Sequence, residues 1–244
     1  MSPVILAVDT SGMCGTIAIR RGGELLVERE LEQSKRRHAQ TLISEAQEVL
    51  ADAQLAPGDV EIVAVSHGPG SFTGLRVGVV FAKTLAYVTG CRLVAVDTLQ
   101  AVAVSASGSE FAGLTELSVV SDAQREQLFV SRFRRQSEHW WEPAGPIEIV
   151  DCEAWCVDVA KQAADTFAVA GPGLRKVTDE LSPSVRCLPE DRWTPRAAHV
   201  AHIAERLAAD SRFADPFELE PFYLRKSSAE EKREAKLAAE SQPE

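Results

Sequence analysis

The residues best placed to do chemistry in this sequence sit in one glycine-rich string, His67-Gly68-Pro69-Gly70-Ser71-Phe72-Thr73-Gly74. It falls between a predicted strand and a predicted helix, where backbone amides often hold a phosphate. The string has no Gly-Lys-Ser/Thr, so it is not a P-loop, and the spacing of Gly68, Gly70 and Gly74 misses the dinucleotide fingerprint. Cys152 and Cys156 form a pair with no second pair or flanking histidines, which makes zinc a weak reading. Lys35-Arg36-Arg37-His38 is a basic cluster at a predicted helix start, where it opposes the helix dipole. It suits an acidic partner surface, a nucleotide or an RNA phosphate as well as it suits a solvated loop. Trp140-Trp141 reads as an edge cluster or lobe contact rather than a base-stacking platform, because no basic groove accompanies it.

Composition bounds these options. With 244 residues, 45% of them hydrophobic, the chain can bury one large core or two modest ones, and two similar lobes are expected. A net charge of -10 repels phosphate backbones, so RNA contact is expected to be indirect or confined to a patch. The five cysteines are scattered and odd in number, as befits reduced cytosolic thiols. No charged-then-apolar leader precedes Ile5, and no apolar run is long enough to span a bilayer. A cytoplasmic protein without a membrane partner is expected.

The elements that must position these residues follow from periodicity. Val4 to Val8 is an apolar run ending at the turn Asp9-Thr10-Ser11-Gly12; two further strands follow, separated by Arg21-Gly22-Gly23. Ala39, Leu42, Ile43, Ala46, Val49, Leu50 and Ala53 fall on the helical period. A strand over Ile62 to Val65, a helix from about Leu75 to Val88 and a strand over Leu93 to Val96 complete a βββαβαβ order. Strands within Leu117 to Phe133 and over Phe167 to Ala170, then a helix from Pro195 to Ala209, make the second half an abbreviated echo. The expected division is a first lobe over 1–106, a smaller lobe over 107–226 and a charged, solvated tail over 227–244.

The helix after the glycine string is unusual. Only Arg76 and Lys83 are charged between Leu75 and Val88, so it has more apolar surface than one sheet can cover. Gly74, Gly78, Ala82 and Ala86 recur every four residues as a ridge that would let another helix approach closely. Two arrangements are open: the ridge meets its own chain, or it meets a partner. On the partner reading, Gly78→Leu abolishes assembly and leaves the monomer folded, and the lone chain homodimerises.

Taken in order, ILAVDTS, His38 at the first helix, SHGPGSFTGLRVG, VAVDTLQAVA, SDAQREQLF around Asp122 and EPFYLR over Glu220 to Arg225 resemble the TsaB (YeaZ) family. The resemblance spans Ile5 to Arg225. It implies a two-lobed, actin-like α/β fold (ASKHA, ribonuclease H-like), each lobe a mixed sheet flanked by helices. It also implies a non-catalytic subunit acting with the catalytic paralogue TsaD and the ATPase TsaE, which together transfer threonylcarbamoyl to N6 of the adenosine beside the tRNA anticodon. The partner-binding residues are then expected on the two first-lobe helices: His38, Thr41, Glu45, Phe72, Thr73, Gly74, Arg76, Val77, Gly78, Phe81, Ala82 and Leu85.

The paralogue holds a metal with two histidines four apart, whereas Leu42 stands four places after His38, so no metal and no catalytic residue are expected. Actin-like ATPases also use two glycine-bearing phosphate hairpins. The Asp9 turn suits the first, but the Ala123 to Gln127 stretch has no glycine, and Gly171-Pro172-Gly173 is a remnant of the adenosine-side loop. The family's Asp-Ala-Arg at Asp122 is altered here, with Gln124 before Arg125. The chain is expected to own no cofactor, and ADP or ATP is expected only at a composite inter-subunit site using Asp9, Thr10, Ser11, Gly68, Gly70 and Ser71. A kinase-like ATP-dependent enzyme and a metallopeptidase are the competing readings.

Overall fold

The computed structural model describes residues 2–31 and 38–225. Lys35, Arg36, Arg37 and the 227–244 tail lie outside the described residues. So do the side chains of His38 and Thr41.

The first lobe is built on β1 (Val4–Asp9), β2 (Thr16–Arg21), β3 (Glu24–Glu30), β4 (Ile62–Gly68) and β5 (Arg92–Asp97), in the sheet order β3-β2-β1-β4-β5. The first three strands are antiparallel neighbours and β1, β4 and β5 run parallel, as hairpins followed by crossover helices require. Every residue of β1 is buried, so both faces of the sheet must be covered. Alternation assigns the cover. Val4, Leu6 and Val8 turn toward α1 (His38–Asp52), while Ile5 and Ala7 turn the other way, toward α6 (Ala197–Ala209). Val63 and Val65 of β4 meet Val79, Ala82 and Ala86 of α2 (Phe72–Thr89).

The second lobe repeats this plan in shortened form. Its strand β6 (Glu116–Asp122) pairs antiparallel with β7 (Gln127–Ser137) and parallel with β10 (Phe167–Ala170), as β1 pairs with β2 and β4. Two further strands, β8 (Trp140–Pro143) and β9 (Glu148–Asp151), both pair with β7. Helix α3 (Thr98–Ala103), capped by the Asp97 carboxylate, leads out of the first lobe; α4 (Cys152–Val159) and α5 (Leu174–Val177) belong to the second. Trp140 and Trp141 are buried, Trp140 in the core beneath α6 and Trp141 in the second-lobe core, and neither presents a face to a base.

Two boundaries differ from the periodicity. Helix α2 begins at Phe72, three residues before Leu75, because Ser71 Oγ accepts the Gly74 amide and draws Phe72-Thr73-Gly74 into the first turn. Helix α6 falls within residues 107–226, yet it packs on the first sheet. Val200, Ala201, Ile203 and Ala204 are all fully buried with β1 and β4 side chains. First-lobe residues also cap it: Ala197 N–H donates to Thr16 Oγ1 at 2.8 Å and Ala198 N–H to Glu28 Oε1 at 2.9 Å. The Arg196 guanidinium clasps Glu28 Oε2 at 2.6 and 3.0 Å. Chain order alone misplaces this helix, because its partners lie more than 160 residues away.

Glu28 is therefore a cap supplied across the whole chain. Glu28→Ala leaves the Ala198 amide and the Arg196 guanidinium without their acceptor; the expected loss is about 2 kcal/mol, or roughly 4–8 °C in melting temperature. Differential scanning calorimetry checks this, and an unchanged midpoint would show that water replaces the carboxylate without loss.

Candidate functional site

The turn after β1 and the glycine string after β4 meet at the top of the first lobe. Asp9 is fully buried; Ser11 N–H donates to its carboxylate at 3.2 Å, Ser11 Oγ at 2.9 Å and Ser66 Oγ by a short contact. Burial holds its pKa above the usual carboxylate range, opposed by the bonds from Ser66 and Ser11. The string then closes over it. Ser71 N–H donates to Ser11 O at 2.8 Å, and Thr10 Oγ1 donates to Gly74 O at 2.7 Å.

This approach is backbone on backbone. A Cβ on Gly70 would lie 2.7 Å from Ser11 O, and one on Gly74 would lie 1.9 Å from Thr10 O. The six residues expected at a composite nucleotide site are thus brought together only in part. Asp9, Thr10, Ser11, Gly70 and Ser71 are drawn together by the bonds and close approaches between turn and string. Gly68 faces elsewhere, under the Phe222 carbonyl, which would be 2.6 Å from its Cβ. Gly70 and Gly74 allow the two loops to pack this closely.

The small-residue ridge of α2 also faces inward, which overturns the expectation that Gly74, Gly78 and Ala82 meet a partner. Gly78 is buried, with the Thr10 hydroxyl 2.4 Å and a Val65 methyl 3.3 Å from where its Cβ would stand. Ala82 and Ala86 are buried against β4. Small side chains at this spacing let the helix lie close on its own sheet, and that contact compensates for the helical glycine. Val77, Phe81 and Leu85 are half-buried in the seam with α1, packed with Leu42 and Val49. Glu45 is half-buried and faces Arg29 at 3.6 Å, and Phe72 is half-buried under Arg76. Thr73 and Arg76 are exposed.

The apolar excess is nevertheless present, on another face. Ile43 of α1 is 55% exposed, and on α2 Val80, Tyr87 and Val88 are 61, 71 and 73% exposed. These α2 positions were not among the residues singled out by sequence. The signal was there, since 80, 84, 87 and 88 form a stripe at helical spacing opposite the ridge. The Tyr87 ring meets the exposed Phe217 ring edge-on at 5.8 Å. Arg76 lies 3.9 Å over the Phe72 ring and donates to the Tyr223 hydroxyl at 3.0 Å, so one guanidinium touches both aromatics.

In the second lobe the Asp122 turn is a closed, polar hairpin. Lys176 Nζ pairs with Asp122 at 3.2 Å and Glu126 at 3.5 Å, so two carboxylates front the place where a second phosphate hairpin would act. Gly171 is jammed beside the Val120 carbonyl, 2.1 Å from its would-be Cβ, which makes it a packing glycine as well. Cys152 and Cys156 are buried, unpaired thiols with pKa values pushed up by burial, hence poor nucleophiles and poor ligands. Leu42, four places after His38, is fully buried in the α1 core. Among the described residues no three His, Cys, Asp or Glu side chains group to hold a metal ion, and no helix is long and apolar enough to cross a membrane.

Paired mixed sheets, the second an abridged copy of the first, with helices on their faces, define the actin-like class of two-lobed α/β proteins. Within that class the chain belongs to the TsaB (YeaZ) family. The family model for TsaD, tRNA N6-adenosine threonylcarbamoyltransferase, matches residues 27–173. The chain is 30% identical over 232 residues to the tRNA threonylcarbamoyladenosine biosynthesis protein TsaB of Bacillus subtilis, covering 93% of this chain and 96% of that one. Its identity to the protein of the same description from Escherichia coli is 25% over 226 residues, covering 92% and 96%. The solved structure of YeaZ from Pseudomonas aeruginosa superimposes with a TM-score of 0.77 at 24% identity, covering 91% of this chain and all of that one, which supports the fold.

Proposed function

We propose that this chain acts in tRNA threonylcarbamoyladenosine biosynthesis as a non-catalytic scaffold, required for threonylcarbamoyl transfer to N6 of the adenosine beside the anticodon. The observation that carries the reading is an open apolar face on the two helices that flank a bonded turn and glycine string. Asp9 and the glycine string are bonded to each other, while Ile43, Val80, Tyr87 and Val88 stand in solvent on adjacent helices. Apolar area of this kind on a surface helix marks a protein contact.

The partner on this reading is a TsaD-type paralogue seated across α1 and α2, with TsaE joining the pair. The lone chain pairs with itself through the same face, in the cytoplasm and away from membranes. With a net charge of -10 it meets tRNA only through its partners. Any ADP or ATP belongs to the assembled complex, since the lone chain closes its Asp9 turn.

The test is a double substitution, Val80→Asp with Tyr87→Asp, titrated against purified TsaD by calorimetry. Two buried carboxylates without partners should weaken binding at least about 30-fold, with the melting temperature of the free chain held within ~2 °C. The same variant should elute as a monomer. Wild-type affinity in the double variant would remove this face from the assembly.

A further inference from the structure

The segment after α6 makes contacts that neither the fold nor the assembly reading requires. Ala214 N–H donates to Leu93 O at 2.8 Å on the open edge of β5, and Lys83 Nζ of α2 donates to Leu219 O at 2.8 Å. Four consecutive residues then touch both lobes. Phe222 donates its N–H to His67 O at 2.7 Å and stacks on the His67 ring at 5.9 Å. Tyr223 stacks on Phe72 at 4.7 Å and accepts from Arg76. Leu224 packs against the second-lobe core. The Arg225 guanidinium donates to Ala123 O and Gln127 Oε1 at the Asp122 turn.

That turn is strained. Gln124, Arg125 and Glu126 take φ values of 62, 50 and 56°, three successive left-handed residues that all carry a Cβ. Such a conformation persists only where its surroundings over-determine it. Here they are Arg225 on the Ala123 carbonyl, Lys176 between Asp122 and Glu126, and Cys152 N–H on Glu126 O at 2.9 Å. The strap is itself lightly held: Phe217, Phe222 and Tyr223 are all exposed.

We infer that residues 214–225 form a latch that couples the start of α2 in the first lobe to the left-handed Asp122 turn in the second, so that the two ends release together. The strap end at Tyr223 and the guanidinium at Arg225 are two residues apart, and the three left-handed residues lose one of the contacts that hold them once Arg225 leaves. The coupling belongs to the chain alone and is independent of which partner sits on α2.

Hydrogen exchange on the full, unliganded chain tests it from both ends. Tyr223→Ala touches only the first-lobe end. It is expected to speed exchange several-fold at residues 123–127, which Tyr223 does not contact, as well as at 219–223. Arg225→Ala, which removes two charge-assisted hydrogen bonds, is expected to speed exchange about tenfold or more at 123–127 and also at 72–76. Protection of β1 amides reports that each variant is folded. Should Arg225→Ala lose that protection, Arg225→Lys retains the cation with fewer donors, and a smaller change in the same two regions is expected. A Tyr223→Ala effect confined to 67–76 and the strap, or an Arg225 variant that loosens only 123–127, would show two separate local contacts and overturn the latch.

Discussion

Gly78→Leu is expected to unfold the chain rather than to strip it of a partner. A leucine there places its Cβ 2.4 Å from Thr10 Oγ1 and 3.3 Å from Val65 Cγ2, with three further carbons and nowhere to turn. Helix α2 must lift, and lifting it uncovers Leu75, Val79, Ala82 and Ala86, all buried now. It also breaks the Thr10–Gly74 bond that ties the helix start to the β1 turn. Overpacking with loss of that burial should cost about 4 kcal/mol, most of a modest domain's stability. Gly74→Ala, whose single methyl would stand 1.9 Å from a backbone oxygen, should approach the same loss. Urea titration of the soluble variants decides the matter. A Gly78→Leu chain with a native midpoint and lost assembly would mean that the ridge faces outward after all.

Acid is expected to destabilise the protein through His199. On α6 its Nδ1 is sealed from solvent without a hydrogen-bond partner, so protonation would bury an unpaired donor and a charge. Burial, with Arg196 and His202 nearby, brings its pKa down to about 4, against the opposing pull of Glu28 on β3 and a bond to the Ala101 backbone on α3. The folded-state value lies below the unfolded one, so the unfolded chain takes up more protons between pH 6.5 and about 4. The stabilisation is whole above that window and is lost as pH falls through it. The gap corresponds to about 3 kcal/mol. His202, lowered chiefly by its own burial, adds to the same trend.

Asp9 and Asp97 work the other way. Burial raises both, so their contribution is present below the ordinary carboxylate value and is lost as pH rises through the folded one. The His199 share is therefore read as a difference. Stability of wild type minus His199→Gln, from urea titrations, should shrink by about 2 kcal/mol between pH 7 and pH 4.5. Parallel pH curves for the two chains would show that the ring is not kept neutral by its site.

Much of this was legible in the residues. The apolar run from Val4 to Val8, the helical period from Ala39 to Ala53 and the run into Gly171 all report local backbone geometry, and those elements stand where the sequence pattern puts them. The apolar excess of α2 was legible too, because two charges between Leu75 and Val88 cannot cover the outside of a helix. What misled was direction. Glycine and alanine every four residues mark a close approach but not the body approached, and it proved to be Thr10 and β4 of the same chain. Strand β9 and helix α4 were missed because Glu148–Asp151 is a short, largely exposed strand and α4 follows it without a turn. The closing of the Asp9 turn, the seating of α6 on the first sheet and the run of the strap across both lobes depend on contacts between distant residues, some more than 180 positions apart. Composition, element type and apolar surplus are properties of nearest neighbours, so a single sequence carries them. Which face is hidden is settled by competition among distant surfaces for the same apolar area, and only the assembled tertiary structure decides it.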